Sequence, residues 1–499
     1  MRLADRLAKL ERTSSLDAGF LTLESPTTPM HIGSLSYLEP GPLRDENGRV
    51  RLGELRRLLD ERLALAPRFR QRPVTGPFGL GRPVWMEDPH FSIANHVNEI
   101  VLPSPGSEQQ LRELCGQLMM KLLDRSHPLW ELWIVDGLAD GSIVLIEKIH
   151  HSMMDGVSGV DVAMLMTDAT PKVERTQRRA RARAAGSGGS GDTGARRPPG
   201  RLTLLATGAI DELGVPLAMA GAPWRATAEL GDALIHPSRL PELGRQARAI
   251  AKGSASLVQR RNIAPHTPLN DPVGPQRLYD HVEFPLPELK RIAKTFGCKV
   301  NDVLLAGVTN GLRQLMLDRE LEPGDRFQVL VPVSTRALAE HLTFDNQVAA
   351  WIVALPVGVA GDLARLEAVK VSTAARREEH QADAVAALLS AADRWPTPLV
   401  QLIARLTHHQ PFVNAVVTNV PGPPHQRYLL GARVKRVAPF VPLAGNLDVS
   451  IGIVSYDSEV SIGLLADAER CADVQVLGAG IRAGLESLEV LATRVRGAA

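Results

Sequence analysis

Ile143-Val144-Leu145-Ile146-Glu147-Lys148-Ile149-His150-His151-Ser152-Met153-Met154-Asp155-Gly156 is the stretch on which the reading of this chain turns. Its first half is short, apolar and β-branched and follows the turn signal Asp140-Gly141, so it predicts a strand. Side chains alternate faces along a strand, which sends His150 and His151 to opposite sides and lets only one face a given ligand. His151 is the better candidate, because it stands last, where strand gives way to loop. Asp155-Gly156 then predicts a turn into a helix from about Ser158, with Val160, Met164 and Leu165 on its apolar side. A carboxylate just beyond a base orients it directly or braces the loop through an arginine elsewhere, Arg336 being one candidate. The alternative is a solvent-side histidine pair beside a turn, without chemistry.

The 499 residues exceed the roughly 250–300 at which a single core stops growing, so two domains are expected. Apolar content of 44% and charged content of 22% are ordinary for a folded protein. A net charge of +2, with no basic patch interleaved with aromatics, gives no case for a nucleic-acid partner. Cys115, Cys298 and Cys471 are odd in number and far apart, with neither disulfide nor zinc spacing, so a reducing cytoplasm and no metal are expected. The opening Met1-Arg2-Leu3-Ala4-Asp5-Arg6 is charged too early for a secretory signal. No run reaches the ~18 uninterrupted apolar residues of a membrane span. Leu202 to Ala222 is cut by Asp211, Glu212 and Pro216, and can at most lie on a membrane surface.

The clearest seam follows the histidine motif. Arg175, Arg178, Arg179, Arg181 and Arg183 precede Gly186-Ser187-Gly188-Gly189-Ser190-Gly191 and Arg196-Arg197-Pro198-Pro199, which is linker composition. The arginines read either as a solvated tether or as a patch that draws the protein to anionic lipid. Residues 1–172 then form an N-terminal α/β unit, 173–201 a flexible linker, 202–275 a helical connecting segment and 276–499 a second α/β unit. In the first unit Leu52, Leu55, Leu59, Leu63 and Ala66 predict one helix. Leu111, Cys115, Leu118 and Leu122 predict another, opened by Ser107 with Gln110 reaching back. In the second unit Leu286 to Phe296 predicts a helix stopped by Gly297. Strand-like runs cover Phe327 to Val333, Val348 to Leu355, Val413 to Asn419 and Leu447 to Val454.

Asn301-Asp302 opens a helix carrying Leu305, Val308, Leu312 and Leu315. Asn301 as its N-cap and Asp302 at its first position are ordinary helix chemistry, compatible with a direct substrate contact. Trp130 reads as core. Asn419 to Pro424 is proline-dense, stiff and poor in donors, and Asn419 either fixes the turn or donates to a carbonyl oxygen. His96, His281, His341 and the pair His408-His409 have no partners at ligand spacing and are expected on the surface or in loops. Ser152 lacks the G-x-S-x-G context of a nucleophile.

His150-His151-Ser152-Met153-Met154-Asp155-Gly156 fits the HHxxxDG motif of the coenzyme A-dependent acyltransferase superfamily, which includes chloramphenicol acetyltransferase and the condensation domains of peptide synthetases. Five other segments resemble the bacterial wax ester synthase/diacylglycerol acyltransferase family. They are Leu16-Asp17-Ala18-Gly19-Phe20, Pro29-Met30-His31-Ile32-Gly33, Pro128-Leu129-Trp130-Glu131, Asn301-Asp302-Val303 and Asn419-Val420-Pro421-Gly422-Pro423. The resemblance implies an α/β fold of two chloramphenicol acetyltransferase-like lobes, with a tunnel at their interface and the histidine at its middle. It implies transfer of an acyl group from fatty acyl-coenzyme A to diacylglycerol, giving triacylglycerol, or to a long-chain alcohol, giving a wax ester. Acyl-coenzyme A is then a substrate and no cofactor is expected. A histidine, with an unperturbed pKa of about 6.5, suits proton removal from the acceptor hydroxyl, and His151 takes the part of general base. His150 supports it from behind, Asp155 organises the loop that Gly156 ends, and Asn301, Asp302 and Asn419 are substrate-contact candidates. A peripheral membrane or lipid-inclusion surface is the expected location. Three other readings stand beside this one. A metal-dependent hydrolase with His150, His151 and Asp155 as ligands is opposed by their placement on opposite faces. A non-catalytic lipid-inclusion scaffold is opposed by the intact motif, and condensation on carrier proteins by the matches outside it.

Overall fold

Ile143–His150 forms the strand that its β-branched run predicts, and it lies inside a six-stranded sheet. The computed structural model describes residues 11–77, 81–154, 156–173, 263–334, 348–378, 397–406 and 409–497. The N-terminal part runs α1 (Ser15–Leu23), β1 (His31–Leu38), α2 (Leu52–Leu63), β2 (Gln71–Val74), β3 (Val84–Glu87), β4 (Val97–Val101), α3 (Glu108–Met120), β5 (Trp130–Asp136), β6 (Ile143–His150) and α4 (Gly156–Met166). The C-terminal part begins with β7 (Arg277–Pro285), α5 (Leu286–Thr295), α6 (Val300–Asp318), β8 (Phe327–Ser334), β9 (Val348–Leu355), α7 (Asp362–Glu378) and α8 (Thr397–Leu406). It ends with β10 (Ala415–Pro421), β11 (Tyr428–Leu429), β12 (Ala432–Phe440), β13 (Val449–Tyr456), β14 (Glu459–Asp467) and α9 (Val474–Gly497).

Local chemistry places several of these boundaries. The Ser107 hydroxyl accepts the Gln110 N–H at 3.2 Å, and the Gln110 side chain accepts the Ser107 N–H at 2.7 Å, the reciprocal cap expected at the start of α3. Gly297 follows α5 with φ 60°, a left-handed conformation that stops the helix without a Cβ clash. The α6 cap differs from expectation. Lys299 is the N-cap, and Asp302 sits three residues on, where its carboxylate reaches back to the Lys299 N–H at 2.9 Å.

The strand order is β11-β12-β1-β6-β5-β4 in the first large sheet and β7-β14-β13-β10-β8-β9 in the second. β1 runs antiparallel to β6 and sets His31 opposite His150. Gly33 permits this approach, since a Cβ there would stand 1.8 Å from the Glu147 carbonyl oxygen. On its other side β1 pairs with β12, antiparallel, with Gly33 opposite Phe440. A boundary at 276 therefore does not divide the two sheets, because β11 and β12 of the C-terminal part complete the N-terminal one. The physical reason lies in β12, whose Val434 enters the core on one face of the first sheet and whose Ala438 and Phe440 enter the core on the other. In the second lobe Val474, Leu477, Ile481, Leu485 and Leu488 recur at helical spacing along α9 and are buried against α6. Gly311 lets those helices meet, since a Cβ there would lie 2.6 Å from the Leu477 carbonyl oxygen.

Other expectations are corrected. The linker from 174 onward, with its arginines, and most of 202–275 lie outside the described residues. Residues 263–275 are described and hold no helix, because Pro265, Pro268, Pro272 and Pro275 interrupt the backbone donors. Asn419-Val420-Pro421 is not loop but the end of β10, paired in parallel with β13 as far as Ser455. α4 begins at Gly156 rather than Ser158; Leu165 packs against the core as expected, and Val162, which the spacing did not single out, is fully buried there. Arg62 of α2 fastens the far end of α4. Its Nη2 lies 2.6 Å from Asp168 Oδ1, both side chains almost fully buried, and Nη1 donates to the Met166 carbonyl. Asp168 also bridges to Tyr428 of β11.

Candidate active site

β6 delivers the two histidines in different surroundings. The His150 N–H donates to the Leu129 carbonyl at 2.9 Å, and the His151 N–H donates to the Met30 carbonyl at 2.7 Å. The ladder thus continues one residue past the strand, and the alternation of faces holds to the end, as the sequence predicts. His150 is 0% exposed. Its Nδ1 accepts the Ser152 N–H at 3.0 Å and stands 2.7 Å from the Ser152 hydroxyl, which leaves the ring proton on Nε2. Nε2 points at Glu24 Oε1, 3.4 Å away. Ser152 is therefore a partner of His150 and not a nucleophile on a turn.

Glu24, just past the end of α1, organises the rear of the site. Its Oε1 lies 3.3 Å from His31 Nε2 and accepts the Met30 N–H at 3.3 Å, while its Oε2 meets Arg125 Nη2 at 2.9 Å. Burial alone would raise the Glu24 carboxyl, but the His150 and His31 rings outweigh burial and hold it well below the usual carboxylate range. Both ring nitrogens of His31 face oxygens, Nδ1 the Met119 carbonyl at 3.1 Å and Nε2 the Glu24 carboxylate. Burial nevertheless lowers the His31 ring to about 4, against the pull of the Glu24 carboxylate. Lys148, on the same face and fully buried, donates to the Lys121 carbonyl and lies 3.6 Å from Glu131. Burial pulls its ammonium down to about 8. Sequence reasoning missed Glu24 and Lys148 and met His31 only inside a motif. Charged residues at alternate positions of an apolar strand were the available signal.

This arrangement makes a prediction with a definite sign. Because the folded carboxyl of Glu24 titrates low, the stability it lends is present above the unfolded value of about 4.5 and is lost as pH falls below it. The wild-type melting temperature should drop steeply below pH ~4.5, and that of Glu24→Gln less steeply. Parallel curves would show that Glu24 is not the coupled group.

His151 is only half-buried, and its ring stacks on Phe20 of α1 at 4.2 Å with an interplanar angle of 13°. Ser152, Met153 and Met154 are buried beneath it, and the Met153 N–H closes the turn onto the His150 carbonyl at 2.9 Å. Asp155 and Arg336 lie outside the described residues, whereas Gly156 is the first residue of α4. The structure brings Asn301 and Asn419 together, with Asn419 Nδ2 donating to Asn301 Oδ1 at 3.0 Å. Asp302 is used within the fold, one oxygen on Lys299 and the other accepting the Thr373 hydroxyl at 2.8 Å, so it holds a helix end instead of facing a ligand.

Trp130 is core, as expected. Its Nε1 donates to the Phe69 carbonyl at 2.9 Å, and its ring stacks on His96 at 4.5 Å. His96 and His281 are buried, contrary to expectation, because their neighbours come from distant segments: Trp130 and Phe91 for one, Glu108 for the other. His409 is exposed, and His341 and His408 lie outside the described residues. The three cysteines are free. Among the described residues, no group of three or more histidine, cysteine or acidic side chains is placed to hold a metal ion. Among the same residues, no helix is long and apolar enough to cross a membrane.

Two α/β lobes, one lent strands by the other, with the histidine motif at the end of an inner strand, define the coenzyme A-dependent acyltransferase fold. The same fold is seen in the wax ester synthase/diacylglycerol acyltransferase from Marinobacter aquaeolei VT8, with a TM-score of 0.65 and 21% identity over 97% of this chain and 100% of that one. It is also seen in the first condensation domain of the CDA synthetase, with a TM-score of 0.56 and 16% identity over 96% of each chain. The wax ester synthase/diacylglycerol acyltransferase catalytic domain matches residues 13–304, and the C-terminal domain of that family matches residues 344–489. A "probable diacylglycerol O-acyltransferase" of Mycobacterium tuberculosis is 30% identical over 492 residues, 97% of each chain. The chain belongs to the wax ester synthase/diacylglycerol acyltransferase family and is an acyltransferase.

Proposed function

We propose that the protein transfers a fatty acyl group from coenzyme A to the free hydroxyl of diacylglycerol, with His151 as general base. The observation that carries this reading is the contrast within the histidine pair. One ring is locked into a buried carboxylate network, and the other is half-open at the end of the same strand. His151 takes the hydroxyl proton as the acceptor oxygen attacks the thioester carbonyl carbon. The carbon–sulfur bond then breaks, and the departing thiolate receives the proton from the imidazolium. His150 acts from behind, fixing the backbone from which His151 projects, and Gly156 starts the helix beyond the turn. Asn301 and Asn419 are a second polar pair for substrate contact. Long-chain alcohols are a second acceptor class, since the catalytic step needs only a hydroxyl. Acyl-coenzyme A is a substrate in this scheme, and no cofactor is called for.

We place the protein in the cytoplasm, peripheral to a membrane or lipid inclusion, because both substrates carry long hydrocarbon chains. Leu402 of α8 and Phe412 beyond it stand exposed and suit such a surface. Purified protein given palmitoyl-coenzyme A should release coenzyme A only when dioleoylglycerol or hexadecanol is added. Release without acceptor would make it a thioesterase, and no release with either acceptor from folded protein would overturn the reading.

A further inference from the structure

The two faces of the N-terminal sheet are filled differently. On the His150 side, Leu35, Val144 and Ile146 at the middle of the sheet are 0% exposed, and partial exposure on β1, β6 and β5 is confined to Gly33, Glu131 and Trp133. On the other side Ile32, Ser34 and Ser36 of β1, Leu132 of β5, Glu147 of β6 and Val437 of β12 all keep partial exposure, although each lies on an inner strand. Directly opposed residues share a face, and the register sets Ser34 opposite Glu147, Glu147 opposite Leu132 and Ser36 opposite Val437. Ile32, Leu132 and Val437 pack against the core of this face without being sealed by it, and Ser34, Ser36 and Glu147 between them are likewise only partly covered. The patch is partly buried and not open surface: burial pushes the Glu147 carboxyl up to about 7, and residues of α2 and α4 belong to the core against which Ile32, Leu132 and Val437 pack.

The patch is apolar apart from Glu147, Ser34 and Ser36. The Ser34 hydroxyl lies 3.4 Å from Glu147 Oε2, and among the described residues it is the only side-chain partner of that carboxyl. Three groups able to hydrogen-bond, set in hydrocarbon surroundings, suit a ligand that brings oxygen acceptors, since unmade hydrogen bonds there are costly. The ligand also follows from position. His151 continues the same face, four residues from Glu147, or ~13 Å along the strand at ~3.3 Å per residue. A diacylglycerol spans such a gap with its free hydroxyl at one end, an ester carbonyl at the other and a hydrogen bond at each. A long-chain alcohol brings a hydroxyl and then only methylenes.

We propose that Glu147, together with Ser34 and Ser36, determines acceptor specificity by binding an ester carbonyl of an acylglycerol whose hydroxyl is engaged by His151. This rests on the acyl-transfer reading above. A site built to hydrogen-bond one substrate discriminates against an analogue that leaves its polar groups unpaired.

The test compares wild type, Glu147→Leu and Glu147→Gln, each as the full purified chain, by coenzyme A release from palmitoyl-coenzyme A with dioleoylglycerol or hexadecanol. Glu147→Leu should lower the ratio of kcat/KM for dioleoylglycerol to that for hexadecanol by about 10-fold or more, and Glu147→Gln, which keeps a donor, should restore most of it. If Glu147→Leu melts well below wild type, Ser34→Ala provides the same comparison. An unchanged ratio overturns the proposal, as does a rise in KM for palmitoyl-coenzyme A shared by both acceptors, which would assign the groups to the acyl donor. Wild type inactive with both acceptors overturns the acyl-transfer reading itself, whereas active wild type with an unchanged ratio in the variants overturns only this inference.

Discussion

His151→Ala should cut acyl transfer by about 10²–10⁴-fold, the range for loss of a positioned general base, while the protein stays folded. The two effects separate because of where the ring sits. His151 is half-buried and rests on Phe20, a stacking contact worth about 0.5–1.5 kcal/mol, so its loss costs little stability. The backbone that holds the turn is untouched, since its hydrogen bonds to Met30 and His150 use main-chain atoms. Coenzyme A release and a thermal melt on the same preparation give both numbers. A variant within 10-fold of wild type would move the proton acceptor to another group, and a variant that melts far lower would show His151 to be structural.

A second large effect is expected away from the site. Arg62→Leu should destabilise the protein by about 3–5 kcal/mol, because it breaks the buried Arg62–Asp168 ion pair by removing one partner. It also removes the donor to the Met166 carbonyl at the end of α4, the helix that follows the histidine motif. Denaturant titration measures the loss. Asp168→Asn added to Arg62→Leu should recover part of it, since an amide is cheaper to bury than a carboxylate that has lost its guanidinium. If the double variant is less stable than Arg62→Leu alone, the loss comes from packing of the arginine stem and not from the broken ion pair.

The readable parts of this chain were those settled by neighbours in sequence. β-Branched runs gave the strands, Ser107 with Gln110 gave a helix start, and Gly297 gave a helix stop. Alternation along one strand separated His150 from His151, and the motifs identified the family. What could not be read depends on contacts between distant segments. Glu24 meets His150 only because Met30 and His31 pair with the end of β6, and nothing local to Glu24 announces it. Asn301 and Asn419 were singled out separately, but their hydrogen bond joins residues 118 apart. The histidines expected in loops are buried by aromatic and acidic partners from elsewhere in the chain, which ligand spacing does not register. Glu147 stood in plain view within the quoted stretch. Its character comes from burial by neighbouring strands and the layer above them, which spacing does not register.

The pairing of β1 with β12 has a consequence for how the protein is made. On the ribosome β1 and β6 emerge early, but the strand that closes the outer side of β1 ends at Phe440, about 290 residues after His150. At ~5–20 residues per second that interval is on the order of 15–60 s, during which β1 offers an unpaired apolar edge. β1, the partner of the strand bearing the catalytic motif, therefore gains its second neighbour only when the C-terminal half has been made. A chain truncated before β12 should therefore keep the outer edge of β1 unpaired and aggregate more readily than the full chain, which a solubility comparison of the two would test.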